Sequence, residues 1–220
     1  MTRPTLTYFS SRGRAELIRL VCAEAGVAFE EKSLGVFHPV DKTPAFLALR
    51  ATGTLPFDAV PIWDEADGFR LAQSDAIVRH IAREHGLYGR TTREAARCDM
   101  VFASMEDTRL ALRALASTEA DKRAELREEL AQTTLPRWLA HFEKLLVMNG
   151  DGRGFVVGEA ASYADAALFL LFENIRDNGL GAAYTGCPAL AAHAERVAAR
   201  SGIARYIASP QRFPVQLLPR

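Results

Sequence analysis

The spacing of apolar residues changes character once along this chain, near residue 85, and that change limits the folds open to it. Before it, strand-like runs alternate with helix-like ones. TLTYF at 5 to 9 reads as a strand, and from Arg14 the residues Leu17, Leu20, Val21 and Ala25 recur at helical spacing until Gly26 stops them. VAFEEKSL, 27 to 34, is a second strand, followed by a Pro- and Gly-punctuated stretch from 38 to 61 that holds the helical piece PAFLALR. VPIWDEADGFRLAQS then predicts two short strands, Ile62 to Asp64 and Phe69 to Ala72, about a turn at Ala66 to Gly68, with Gln73 and Ser74 opening a helix to about Glu84. The order is β-α-β-α-β-β-α. HGLYGR, 85 to 90, carries two glycines and is the expected linker. Everything beyond it is helical, with long runs at about 92 to 116 and 120 to 147, a break at NGDGRG, and shorter helices at about 163 to 177, 188 to 200 and 203 to 208. The expected organisation is an α/β domain over 1–84 and an all-α domain over 91–220, in keeping with the usual domain size.

Composition narrows the function classes. Lys and Arg number 27 and so do Asp and Glu, so no excess positive charge is available to displace counterions from nucleic acid or to hold an anionic membrane. Neither partner is expected. The N-terminal MTRPTLTYFSS has no apolar signal-like core, and the longest apolar run, ADAALFLLF at 164 to 172, is too short to cross a bilayer, so a cytoplasmic protein is expected. Cys22, Cys98 and Cys187 are odd in number and widely separated, which argues for buried small hydrophobes and against a disulfide framework. His38, His80, His85, His141 and His193 show no metal-ligand spacing, and no metal site is expected. NGDGRG lacks the Lys-Ser/Thr ending of a phosphate loop and is read as a turn. Ser162 and Asp165, three apart in SYAD, fit a helix cap before the apolar run AALFLLF.

A β-α-β unit, a prolyl turn and β-β-α form the layout of a thioredoxin-like domain, here with an all-helical domain after it. In order, YFSSRGRAELIR, VPIW, QSDAI, RHIAREHGLYG, CDMVFASMEDTR, FVVGEAASYADAALF and YIASPQRFPVQLLP make the chain resemble a cytosolic glutathione transferase over nearly its whole length. The pattern is nearest the tyrosine-type classes (mu, pi, alpha and sigma). Such an enzyme takes glutathione as cosubstrate and has no prosthetic group. Free thiols titrate near pH 8.5, so only a few per cent of glutathione is nucleophilic at neutral pH, and the site must stabilise the thiolate. Lowering that pKa by about two units takes roughly 2.7 kcal/mol, the strength of one charge-assisted hydrogen bond aided by a helix N-terminus.

The resemblance implies that Tyr8, at the end of the first strand, donates that bond. Ser10 and Ser11 compete for the role, since related classes use a serine at this joint. The spacing from Tyr8 to Arg14 favours the tyrosine, and turn chemistry accounts for the serines. Arg14 resembles an arginine near the thiol and the domain interface, although a helix-surface or interdomain salt bridge would explain it nearly as well. Val60-Pro61 is expected as a cis-prolyl turn presenting the N–H and C=O of Val60 to the cysteinyl segment, so that glutathione pairs like an added strand. Gln73 and Ser74 would receive the γ-glutamyl carboxylate at a helix N-terminus. Arg50 matches a basic residue for the glycyl carboxylate, Phe46 stands where mu-class relatives have tryptophan, and Asp107 matches an aspartate that reaches the partner subunit's site. Phe57 matches an aromatic key inserted into a neighbouring subunit, so a homodimer is expected.

For the second substrate the resemblance implies a pocket among Ser10, the first long helix near Leu110, Arg113, Ala114 and Ser117, and the tail around Phe213. Ser117 stands near where relatives carry a tyrosine or other large group, which implies a roomy pocket. The expected reaction joins the glutathione thiolate to an apolar electrophile. A glutathione-dependent isomerase or peroxidase on the same site, and a non-catalytic carrier of hydrophobic ligands, remain open alternatives.

Overall fold

In the computed structural model, which describes residues 3–37 and 42–215, the described residues divide into two compact units, one of those up to His85 together with 201–215, the other Gly86–Arg200. His38 and the last five residues lie outside the described parts.

The first unit is built on a four-stranded mixed sheet in the order β2-β1-β3-β4. Its strands are β1 (Thr5–Tyr8), β2 (Glu30–Ser33), β3 (Ile62–Asp64) and β4 (Arg70–Ala72). The helices are α1 (Glu16–Ala25), entered through a 3₁₀ turn at Gly13–Ala15, then α2 (Pro44–Ala51) and α3 (Ser74–Glu84). β1 runs parallel to β2 and antiparallel to β3, and β3 pairs antiparallel with β4. This is the β-α-β-α-β-β-α order read from the sequence. β2 is shorter than VAFEEKSL suggested. It is one edge of the sheet, all four residues are exposed, and its Glu and Lys side chains discourage pairing with another chain.

Each helix has a local reason to start or stop. Gly26 ends α1 in the left-handed region at φ 70°, its N–H returning to the carbonyls of Cys22 and Ala23. Thr43 caps α2 by accepting the Phe46 N–H, and Pro44 takes the first helical position, where no N–H is required. The core of this unit comprises Leu6, Ile18, Leu20, Val21, Ile62, Trp63, Ile77, Val78 and Ile81, all essentially inaccessible to water. Each such large side chain contributes about 1.5–3 kcal/mol by leaving solvent.

The final described helix, α9 (Ser201–Ile207), was expected with the all-helical region but packs on α1 within the first unit. The periodicity of a helix does not say which core it joins. Here Gly202 decides it, because a Cβ at that position would lie 2.0 Å from the Ala23 carbonyl oxygen of α1. Only a side chain without a Cβ permits so close an approach.

The second unit contains α4 (Thr92–Ser117), α5 (Arg123–Glu129), α6 (Leu135–Met148), α7 (Tyr163–Asp177) and α8 (Pro188–Ala198), with a 3₁₀ turn at Gly181–Tyr184. Packing of α4 on α7, and of α8 on α6 and α7, buries Leu115, Leu139, Phe142, Leu146, Tyr163, Ile175 and Leu190. The run expected at 120 to 147 is interrupted by a π turn over Leu130–Thr134, where the Leu135 N–H reaches back five residues to the Leu130 carbonyl. Pro136 supplies the reason. It has no N–H to give to Gln132, and in a regular helix its ring would meet that carbonyl, so the preceding turn widens. The cap read in SYAD is present, with the Asp165 carboxylate accepting the Ser162 N–H at 2.8 Å. Its other oxygen accepts the Val156 N–H and meets His193 Nε2, both at 2.8 Å, tying the preceding loop and α8 to the start of α7. Among the described residues no helix is long and apolar enough to cross a membrane.

Candidate active site

Strand register brings one set of residues to a single end of the sheet. Thr7 faces Ile62 across β1 and β3, and Ile62 faces Ala72 across β3 and β4. The next residues along are Tyr8, Pro61 and Gln73, which therefore line up where β1 ends, β3 begins and β4 gives way to α3. Three stretches distant in sequence converge because antiparallel pairing turns strand starts and strand ends to the same side.

Tyr8 is 8% exposed. Its ring packs edge-on against Phe9 at a centroid distance of 5.4 Å. Its hydroxyl oxygen accepts the backbone N–H of Arg14 at 3.0 Å, on the turn that leads into α1. One lone pair is thereby engaged and the phenolic hydrogen is left to donate to a second acceptor. Gly13 makes this arrangement possible. It sits at φ 39°, and a Cβ there would come within 2.6 Å of the Tyr8 oxygen.

The backbone of both serines is engaged at this joint. Ser10 places its hydroxyl 2.5 Å from that of Ser33 and donates its N–H to the Gly35 carbonyl, closing the end of β1 on the loop after β2. Ser11 is buried, and its carbonyl accepts from Arg19 Nη1 at 2.9 Å.

The peptide bond between Val60 and Pro61 is cis, as expected. Pro61 is buried and Val60 half-buried. Gln73 precedes α3 at φ 72°, ψ 116°, a conformation that non-glycine residues seldom adopt. Ser74 is buried at the first helical position, and its hydroxyl donates to Asp75 Oδ1 at 3.1 Å. Arg50 closes α2 and pairs with Asp58 at 3.5 Å, both half exposed. Phe46 is 3% exposed, with its ring 5.5 Å from that of Phe9. It anchors α2 to the sheet and leaves no free face.

Within the second unit Asp107, Leu110, Arg113, Ala114 and Ser117 recur along one side of α4 at helical spacing. Asp107, Leu110, Arg113 and Ser117 are exposed, and the Ser117 hydroxyl donates back to the Ala114 carbonyl at 3.2 Å. Phe213 belongs to the first unit, where its carbonyl accepts from Arg12 Nε at 2.8 Å and its ring lies 4.7 Å from the Arg19 guanidinium.

Around this joint lies a buried ionic network that sequence reading passed over. Glu16 is inaccessible to water and receives the Tyr206 hydroxyl and Arg212 Nε, each at 2.8 Å. Arg19, 2% exposed, donates to Glu31 through two nitrogens and to the carbonyls of Ser11 and Arg12. Burial alone would lower the pKa of Arg19, but the Glu31 hydrogen bond and charge, with Tyr206 and Glu16, raise it. Burial raises that of Tyr206, and the Glu16 carboxylate adds to the rise. Glu16 and Arg19 lie three apart in a largely apolar helix, and that spacing was the available signal. The Glu16 partners Tyr206 and Arg212 are nearly two hundred residues away and had none.

Two family models match, the Glutathione S-transferase N-terminal domain over residues 4–83 and the Glutathione S-transferase C-terminal domain over residues 106–210. Glutathione S-transferase P 1 of Bufo bufo is 34% identical over 208 residues, 93% of this chain and 91% of that one. The Glutathione S-transferase of Plasmodium falciparum is 32% identical over 206 residues, covering 92% of this chain and 93% of its own. Among solved structures, NaGST-2 superposes with a TM-score of 0.81 at 29% identity, covering 98% of this chain and 99% of that one. The Onchocerca volvulus Pi-class glutathione S-transferase does so with 0.78 at 29% identity, over 94% and 92%. A mixed four-stranded sheet at the N-terminal end, a helical unit after it and identity of this extent along both chains place this protein in the glutathione S-transferase family.

Proposed function

We propose that the protein is a glutathione transferase in which Tyr8 holds the thiolate of bound glutathione ready to attack an apolar electrophile. The observation that carries the assignment of Tyr8 is its hydroxyl, which already accepts the Arg14 N–H at 3.0 Å and so keeps its own hydrogen for a sulfur. That N–H belongs to the turn entering α1, where uncompensated backbone donors favour negative charge nearby. The hydroxyl of Ser10 is engaged with Ser33, which supports the tyrosine over that serine.

Glutathione is a cosubstrate in this reading and no prosthetic group takes part. Val60, beside Pro61, offers its backbone N–H and C=O to the cysteinyl segment, while Gln73 and Ser74 receive the γ-glutamyl carboxylate at the start of α3. Arg50 meets the glycyl carboxylate and Arg14 lies beside the thiol. The protein acts in the cytoplasm as a homodimer, with Asp107 reaching the γ-glutamyl amine in the partner's site. On α4, Ala114 and Ser117 are the small side chains of the proposed electrophile surface and Leu110 and Arg113 its larger ones. The thiol gives its proton to solvent, the sulfur lone pair forms a C–S bond, and the electrons displaced from carbon leave with a halide or remain on an opened epoxide oxygen or an enolate. Charge stabilisation and orientation supply the rate.

Removing the phenol tests the role directly. Tyr8→Phe keeps the ring and its packing but loses a hydrogen bond to a charged atom, a loss of about 1.5–3 kcal/mol, or roughly ten- to hundredfold in kcat/KM with an aromatic halide. Ultraviolet titration of enzyme-bound glutathione should show its thiolate absorbance moving to higher pH in the variant. Unchanged absorbance at pH 7 would return the role to Ser10 or Ser11. If the wild type turns over no aromatic halide, epoxide or enone yet reduces a hydroperoxide or isomerises an endoperoxide, the conjugating activity itself is refuted.

A further inference from the structure

Away from the residues assigned above, the first unit gathers three metal-ligand side chains that no reading of the sequence connected. Glu65 follows β3 directly, and His80 and Glu84 stand four residues apart on α3, on one face of the helix. One ligand atom from each lies within 4.8 Å of the other two. His80 Nε2 is 2.7 Å from Glu65 Oε1, and the same oxygen accepts the Trp63 indole N–H at 3.0 Å. The Phe69 ring packs against the imidazole at 5.2 Å. Glu65 is thus oriented by a buried tryptophan and His80 by an aromatic neighbour. Such fixing of ligand side chains by a second layer of contacts accompanies metal ligation generally.

We infer that Glu65, His80 and Glu84 bind a divalent transition-metal ion of the zinc type. His80 Nε2 and one carboxylate oxygen from each glutamate would supply three positions, with water in the fourth. An imidazole among the donors favours zinc over magnesium or calcium, which prefer oxygen throughout. Two carboxylates neutralise the ion's charge. Coordination needs the neutral imidazole with its proton on Nδ1, so the contact between Nε2 and Glu65 is exchanged for bonds from both groups to one ion.

Full-length protein, treated with chelator and dialysed, is titrated with zinc chloride by calorimetry, and with cobalt(II) to read the visible absorption of the bound ion. The wild type should bind one ion per chain, with its melting temperature rising as zinc is added. His80→Ala and Glu84→Gln should each weaken zinc binding at least about ten- to hundredfold, the loss typical of disturbing even the second layer around a metal. Both should keep the wild-type circular dichroism, and both should keep transferase activity, since neither residue belongs to the site proposed for glutathione. The inference is overturned if the wild type takes up no zinc at stoichiometric protein, if magnesium binds as tightly, or if both variants retain wild-type affinity, which would place the ion at exposed histidines such as His85 or His141.

Discussion

At the scale of single residues, Gly13 is as much part of the proposed site as the tyrosine it faces. A methyl group there would stand 2.6 Å from the Tyr8 hydroxyl in a backbone conformation at φ 39° that side chains disfavour. The ring lies in a packed interior, so the hydroxyl must move and lose the Arg14 N–H. A displacement of about 1 Å at a reacting group can cost on the order of a hundredfold in rate. Gly13→Ala should therefore lower kcat/KM toward the Tyr8→Phe value while the protein still folds, which parallel kinetics and thermal melts will show. The cysteines form a contrasting case. Burial is the main cause that raises Cys98 from its ordinary 9.0 to about 11, with Asp165, Asp99 and Glu94 adding to it against a hydrogen bond from Ser162. Burial also raises Cys22 and Cys187. Because the folded Cys98 holds its proton more tightly than the unfolded chain, its contribution to stability is complete below pH 9 and is lost as pH rises through about 11. Urea midpoints should fall across that window. At pH 8 an aromatic disulfide reagent should find no fast-reacting thiol in the native protein and three after denaturation.

At the scale of elements, local pattern and distant contact account for different features. The strands β1, β3 and β4 and the helices α1, α3, α4, α7 and α8 follow periodicity and caps that lie within a few residues of them, so they were legible to within a turn. The joint at Tyr8, the prolyl turn and the Gln73-Ser74 helix start were legible for a second reason, an ordered set of motifs held in common with a family. Two things escaped. The π turn before Pro136 was hidden because a helical pattern records which residues are apolar and not how many backbone atoms each turn encloses. The docking of α9 on α1 was hidden because it depends on Gly202 and on a buried carboxylate whose partners lie far along the chain. That docking can be tested. Gly202→Ala puts a methyl where the Ala23 carbonyl oxygen lies 2.0 Å away, and overpacking of this kind costs about 1–3 kcal/mol. The helix must shift, which loosens the Tyr206 and Arg212 bonds to Glu16 together. The expected result is a lower urea midpoint and faster proteolysis within residues 208–215, with the far-ultraviolet spectrum nearly unchanged. A variant as stable and as resistant as the wild type would show that α9 contributes nothing by its close approach.

At the scale of the whole molecule, the proposed dimer rests on one side chain that the single chain does not satisfy. Phe57 is 65% exposed in the loop between α2 and β3, beside the half-exposed pair of Arg50 and Asp58. A phenylalanine left in water forgoes the stabilisation that burial would bring, about 1.5–3 kcal/mol. Two-fold symmetry counts that twice, because each chain offers the same ring to the other. Truncating Phe57→Ala should therefore weaken self-association by about 3–6 kcal/mol, roughly 10² to 10⁴ in the dissociation constant. Sedimentation should show wild-type dimers where the variant is largely monomeric. If Asp107 completes the partner's glutathione site, the variant's activity per chain should fall on dilution and return as protein concentration rises. Asp107→Asn should instead lose glutathione affinity while remaining a dimer, which separates assembly from chemistry. A Phe57→Ala protein that sediments as the wild type does would refute the key, and a monomeric variant with undiminished activity would show that each chain holds a complete site of its own.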